Sequence, residues 1–213
     1  MCMGGSGNPD KPKDKKKVSG ASVPCPGKLP ADVDSAPKEI KLPSSVDKDF
    51  KKQYSDSFPQ GKSQEHGGTL VTDSSGELKL INVGSGESGA FQPNRQVGAD
   101  ETIVGTMHTH PYDKSEGGHK GVSFSGADLG YAHYYKEPIY VDAGNKQFMI
   151  MPTDATPKDL DWQKLDDEWN ESFKQKRQGG QSMQDASSEA TTEMARKYDM
   201  AYYEGKDGKL KRQ

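Results

Sequence analysis

The sequence predicts an α/β fold, a mixed central sheet flanked by helices, with a disordered N-terminal segment and a C-terminal helical extension. Three observations predict it. Helical and extended patterns alternate as helix, hairpin, strand, helix, hairpin between residues 44 and 155. Residues 1–43 are rich in Gly, Pro, Ser, Asp and Lys. Beyond Pro152 apolar residues recur every three to four positions. The chain therefore divides into a flexible linker or delivery segment over 1–43, a catalytic-type domain over 44–155 and a helical extension over 156–213.

Val46, Phe50, Tyr54 and Phe58 repeat every four residues and predict a first helix from Ser45 to about Ser57. Ser44 with Asp47 resembles a capping start, and Phe58-Pro59-Gln60-Gly61 ends the helix. Residues 67–72 and 77–83 flank Asp73-Ser74-Ser75-Gly76, a hairpin signal. Residues 84–99 read as a Gly/Ser loop and Glu101 to His110 as a strand. A loop containing Gly117, Gly118 and Gly121 leads to Ser125, the cap of a helix through Tyr135. Residues 138–141 and 147–151 form a second hairpin. Leu165, Trp169 and Phe173 then mark one helix and Met183, Ala186, Ala190, Met194, Tyr198 and Tyr202 another, joined at Gly179-Gly180. These helices either pack on the domain or form an arm that binds a partner or covers the cleft.

Composition sets limits. Only 30% of the 213 residues are hydrophobic, too few for every residue to join a packed core. A net charge of −3 gives no electrostatic case for nucleic acid. No apolar run is long enough to span a membrane, and the first residues lack the apolar stretch of a secretory signal. The basic cluster at residues 11–17 reads as a solvated linker or a docking segment. Cys2 and Cys25 have no CxxC neighbour, which excludes a zinc ribbon; they read as reduced thiols or as one disulfide within the tail.

The chemistry concentrates at His108-Thr109-His110-Pro111 and Ser125-Gly126-Ala127-Asp128. Side chains alternate along a strand, so His108 and His110 share a face. With Asp128 from the start of the next helix they make three ligands, and a fourth tetrahedral position is left for water, the plan of a catalytic zinc site. The alternatives are ordinary strand histidines, a helix-cap serine and an aspartate that favours a helix N-terminus. His66, His119 and His133 read as surface or structural, and Tyr131, Tyr134 and Tyr135 as core packing.

In this order, Glu65-His66-Gly67-Gly68, His108-Thr109-His110-Pro111 and Ser125-x-x-Asp128 resemble the JAMM (JAB/MPN-plus) metalloprotease signature. The resemblance spans roughly residues 45–152 and is nearest to bacterial JAB-like domains of polymorphic toxins and effectors. The stretch between His110 and Ser125 is longer than in the eukaryotic deubiquitinating members. The resemblance implies Zn2+ on His108, His110 and Asp128. It makes Glu65 the general base toward water and acid toward the leaving amine, and Ser125 a donor to the oxyanion. Glu77, Glu87 and Glu101 compete for the base, and Glu65 is favoured by its neighbours Gly67-Gly68.

The expected function is zinc-dependent peptidase or isopeptidase activity on a protein or peptide, in a toxin or effector. Its expected partners are a cognate immunity protein and a secretion-machine component, with no nucleic acid and no membrane. Its expected location is outside the cell through a specialised route, or the cytoplasm. The alternatives are a non-catalytic MPN-like scaffold and a nuclease or other hydrolase using the same metal.

Overall fold

The computed structural model describes residues 28–213, so Cys2, Cys25, the basic cluster and the first 27 residues of the expected linker lie outside the described residues. The elements are β1 (Glu39–Lys41), α1 (Ser44–Asp56), β2 (His66–Thr72), β3 (Leu78–Ser85), β4 (Thr102–Thr109), α2 (Gly126–Tyr135), β5 (Ile139–Asp142), β6 (Gln147–Pro152), α3 (Trp162–Gln178), α4 (Met183–Lys197), β7 (Met200–Lys206) and β8 (Lys209–Arg212). Among the described residues, the eight strands join one sheet in the order β1-β8-β7-β6-β5-β4-β2-β3. Only β4 and β5 pair in parallel, across the α2 crossover, so the sheet is mixed. No helix among the described residues is long and apolar enough to cross a membrane.

Both faces of the sheet are covered. Tyr140, Met149, Met151, Ala201 and Tyr203 pack with Val46 and Phe50 of α1. Their neighbours Ile139, Val141, Phe148, Ile150, Met200 and Tyr202 pack with Leu129, Leu165, Trp169 and Met194 of α2, α3 and α4. This period-two division is why β5 and β6 are buried along their whole length.

Three expectations are corrected. The linker expected over 1–43 contains structure before residue 43: β1 pairs with β8, and Ile40 is fully buried opposite Leu210. Ser44 does not cap α1 but begins it, after Pro43 and without a side-chain cap. The helix expected to reach Tyr202 stops at Lys197, and residues 200–212 form the β7–β8 hairpin. A spacing of four is also a multiple of two, so Tyr198 and Tyr202 fit a helix and a strand alike. Asp199 breaks the helix with a positive φ of 51°, and Asp207-Gly208, at 53° and 69°, supplies the tight turn.

Candidate metal centre

The site is built at the end of β4, where the strand meets the loop leading to α2. β2 and β4 slip by one residue, Leu70 facing Gly105 and Val71 facing Ile103, so Val104 is an extra, bulged residue. Beyond the bulge, Met107 and Thr109 point toward α1, where the Thr109 hydroxyl meets Ser57 Oγ at 2.7 Å. Thr106, His108 and His110 point toward α2 and line one cleft. His110 follows the strand proper, yet its N–H still bonds Asp142 O at 3.1 Å, which keeps it in step with β5.

His108 Nε2 lies 2.9 Å from His110 Nε2 and 3.1 Å from Asp128 Oδ1, and His110 Nε2 lies 3.5 Å from Asp128 Oδ2. The three residues form a candidate metal-binding cluster whose ligand atoms lie within 4.8 Å of one another. Ligands about 2.1 Å from a tetrahedral zinc sit about 3.4 Å apart, so these separations fit such an ion. His110 Nδ1 faces Ser123 O at 2.9 Å and donates to it, which leaves Nε2 as the lone-pair nitrogen of the neutral ring.

Ser125 caps α2, and Asp128 completes a reciprocal capping box. Ser125 N and Oγ each donate to Asp128 Oδ2 at 2.7 Å, and Asp128 N donates back to Ser125 Oγ at 3.3 Å. The cap thus orients the carboxylate whose oxygens face both histidines. Gly126 allows this end of α2 to touch α3, because a Cβ there would lie 2.5 Å from Asp166 Cα.

Glu65 enters the same cleft from the segment before β2 and is 8% exposed. Its N–H donates to Glu87 O at 2.8 Å and its carbonyl accepts from Gly86 N at 2.7 Å. The glycines after it have a steric purpose. Gly67 faces His108 across β2 and β4, and a Cβ on Gly67 would sit 2.2 Å from Met107 O and 2.6 Å from the Phe91 ring. Of the four glutamates that sequence leaves in competition, Glu65 alone lines the cleft; Glu77 and Glu87 are exposed, and Glu101 accepts from Gly98 N.

Burial raises the pKa of Glu65, the histidines oppose the rise and Asp128 adds to it. Burial also resists the charge of Asp128, but both histidines outweigh it and hold the carboxylate well below its usual range. For His110 burial favours the neutral ring, yet the hydrogen bond and charge of Asp128 and the charge of Glu65 prevail and raise its pKa to about 9. The proton on His110 must leave before a metal binds. Metal affinity is therefore expected to weaken as pH falls below 9, by about tenfold per unit where one proton is displaced. Chelator-competition titrations at several pH values check this, and a flat profile contradicts it.

A buried polar chain that sequence reading missed stands behind His110. Ser123, whose carbonyl accepts from His110, donates its N–H to Ser187 Oγ of α4 at 3.0 Å. Its hydroxyl meets Tyr202 Oη of β7 at 2.7 Å, and Tyr202 donates to Glu204 at 2.7 Å. Ser123, Ser187 and Tyr202 are each at most 2% exposed, so each partner matters. Partners of this kind orient a metal-binding histidine. Tyr202→Phe is expected to weaken metal binding by roughly tenfold or more while the far-ultraviolet spectrum stays unchanged. Unaltered affinity in that variant contradicts the role.

The other sequence candidates lie apart from the ligands. His133 Nε2 meets Pro157 O at 2.8 Å, and the His119 ring packs edge-on to Tyr112 at 5.9 Å. Tyr134 is 76% exposed, which corrects its assignment to the core, whereas Tyr131 reaches the cleft. Trp169 and Phe173 of α3 and Met183 of α4 also line the cleft, whose volume is about 580 Å³. Set against protein-family models, curated proteins and solved structures, the chain matches none of them at a significant level.

Proposed function

We propose that this chain is a zinc-dependent amide hydrolase of the JAMM type, a peptidase or isopeptidase. The observation that carries the reading is the convergence of His108, His110, Asp128 and Glu65 in one cleft. Two imidazoles and one carboxylate suit zinc and leave a position for water. Zinc held there supplies Lewis acidity and makes water a nucleophile at neutral pH.

The remaining steps belong to the protein. Glu65, with a pKa raised by burial, accepts the water proton on its carboxylate and returns it to the leaving amine nitrogen. The Ser125 hydroxyl is held by Asp128 Oδ2, and rotation about its Cβ–Oγ bond redirects it to the carbonyl oxygen as charge develops there. The Ser123 carbonyl keeps His110 in its Nδ1–H tautomer throughout.

The lining favours an amide over a phosphodiester. Its charged side chains are the metal ligands, Glu65 and Glu116, and among the described residues no lysine or arginine joins them. Nucleic-acid backbones are held largely by such cations. The test is incubation of the zinc-loaded full chain with a proteome-derived peptide mixture and with isopeptide-linked substrates, read by mass spectrometry. Metal-dependent and Glu65-dependent new amide termini are expected. Phosphodiester hydrolysis without amide cleavage would overturn the reading.

A further inference from the structure

The lining of the cleft runs back from the metal ligands along β4 to Thr106, with α2 on one side and the β3–β4 connection on the other; this part of the cleft is termed the slot. Thr106 lies two residues before His108 on the same face of β4, about 7 Å back along the strand, and pairs with Ile139 of β5. The crossover helix returns toward the start of the parallel strands, so Tyr131, about one turn after Asp128, stands beside this floor.

The opposite wall follows β4 in step. The Phe91 ring is held against Gly67, level with His108, and Pro93 lies lower. Thr69, which pairs with Thr106, fixes that level by donating its hydroxyl to Asn94 O at 2.8 Å. Arg95 then crosses to the end of α2. It pairs bidentately with Glu137 at 2.8 and 2.9 Å and stacks 4.1 Å over the Tyr135 ring. This bridge ties the β3–β4 connection to the end of α2, outside the lining of the cleft, with charges that neutralise each other. Back from the metal ligands, Phe91, Pro93, Tyr131 and Ile139 thus offer mainly apolar and aromatic surface to an occupant.

We propose that this slot is a specificity pocket for a large apolar side chain, Leu- to Phe-sized, on the substrate residue that adjoins the scissile amide. The proposal rests on the amide-hydrolase reading of the same cleft. A glycine at that residue leaves the slot unfilled, and a charged side chain meets no free counter-charge there. Burying a Phe-sized side chain is worth roughly 10- to 100-fold in affinity.

The probes are two hydroxamates with one metal-binding head, N-acetylphenylalanine hydroxamate and N-acetylglycine hydroxamate, titrated calorimetrically into the zinc-loaded full chain. The phenylalanine probe is expected to bind about 10- to 100-fold more tightly. Thr106→Phe, which fills the slot, should bring that ratio close to one. Equal zinc-dependent binding of both probes to the unaltered protein overturns the slot and leaves the amide-hydrolase reading standing. Zinc-dependent binding of neither probe overturns both.

Discussion

Glu65→Gln is expected to retain the metal and the fold and to lower kcat by about 10²- to 10⁴-fold, the usual contribution of a general acid–base group. Glutamine keeps the volume and one acceptor oxygen, so the buried position of residue 65 can be filled as before. The backbone bonds from residue 65 to Gly86 and Glu87 do not involve the side chain and also survive. Only the proton-accepting carboxylate is lost. Paired measurements of metal content and single-turnover amide cleavage check the expectation. A Glu65→Gln protein with full metal and full rate would move the proton transfer to another group; Glu116 is then the next carboxylate in the cleft.

Asp128→Asn separates the two tasks of Asp128. The amide oxygen still accepts from Ser125 N and Oγ, so α2 keeps much of its cap. The negative charge between His108 and His110 disappears, and with it the anionic ligand. Metal affinity is expected to fall about 100-fold or more, the upper part of the range for losses around such sites. The charge of Asp128 also holds the His110 pKa up, so the ring of the variant should titrate below 9. Calorimetric metal titration, with the His110 resonance followed against pH, tests both effects. An unchanged affinity would show that the carboxylate is only a helix cap.

The candidate metal-binding cluster was legible because its residues come as a tight pattern. Two histidines on one strand face and an aspartate at N3 of the following helix need only local geometry to converge. The central elements were legible for the same reason: their apolar periods are local and their turns carry Gly, Asp and Asn. The β7–β8 hairpin was harder, since the Tyr198 and Tyr202 spacing suits either structure, although Asp207-Gly208 is a readable turn. β1 hides in a polar stretch where only Ile40 and Leu42 alternate with charge.

Ser123, Ser187 and Tyr202 carried no readable pattern. Ser187 and Tyr202 meet Ser123 behind His110 because β7 is added beyond β6 and α4 packs over it, a consequence of sheet order. Arg95 and Glu137 likewise lie 42 positions apart and are joined only once α2 lies beside the β3–β4 connection. The roles of Glu65 and Ser125 rest on the resemblance and on chemistry, and the Glu65→Gln experiment addresses the first directly.

The central claim is that His108, His110 and Asp128 hold one catalytic metal ion. Elemental analysis of the full chain after zinc loading and exhaustive dialysis tests it most directly, with the His108→Ala/His110→Ala protein beside it and circular dichroism on both. About one zinc per unaltered chain is expected, and almost none in the folded double variant. Full stoichiometry in the double variant, or none in the unaltered protein, would contradict it.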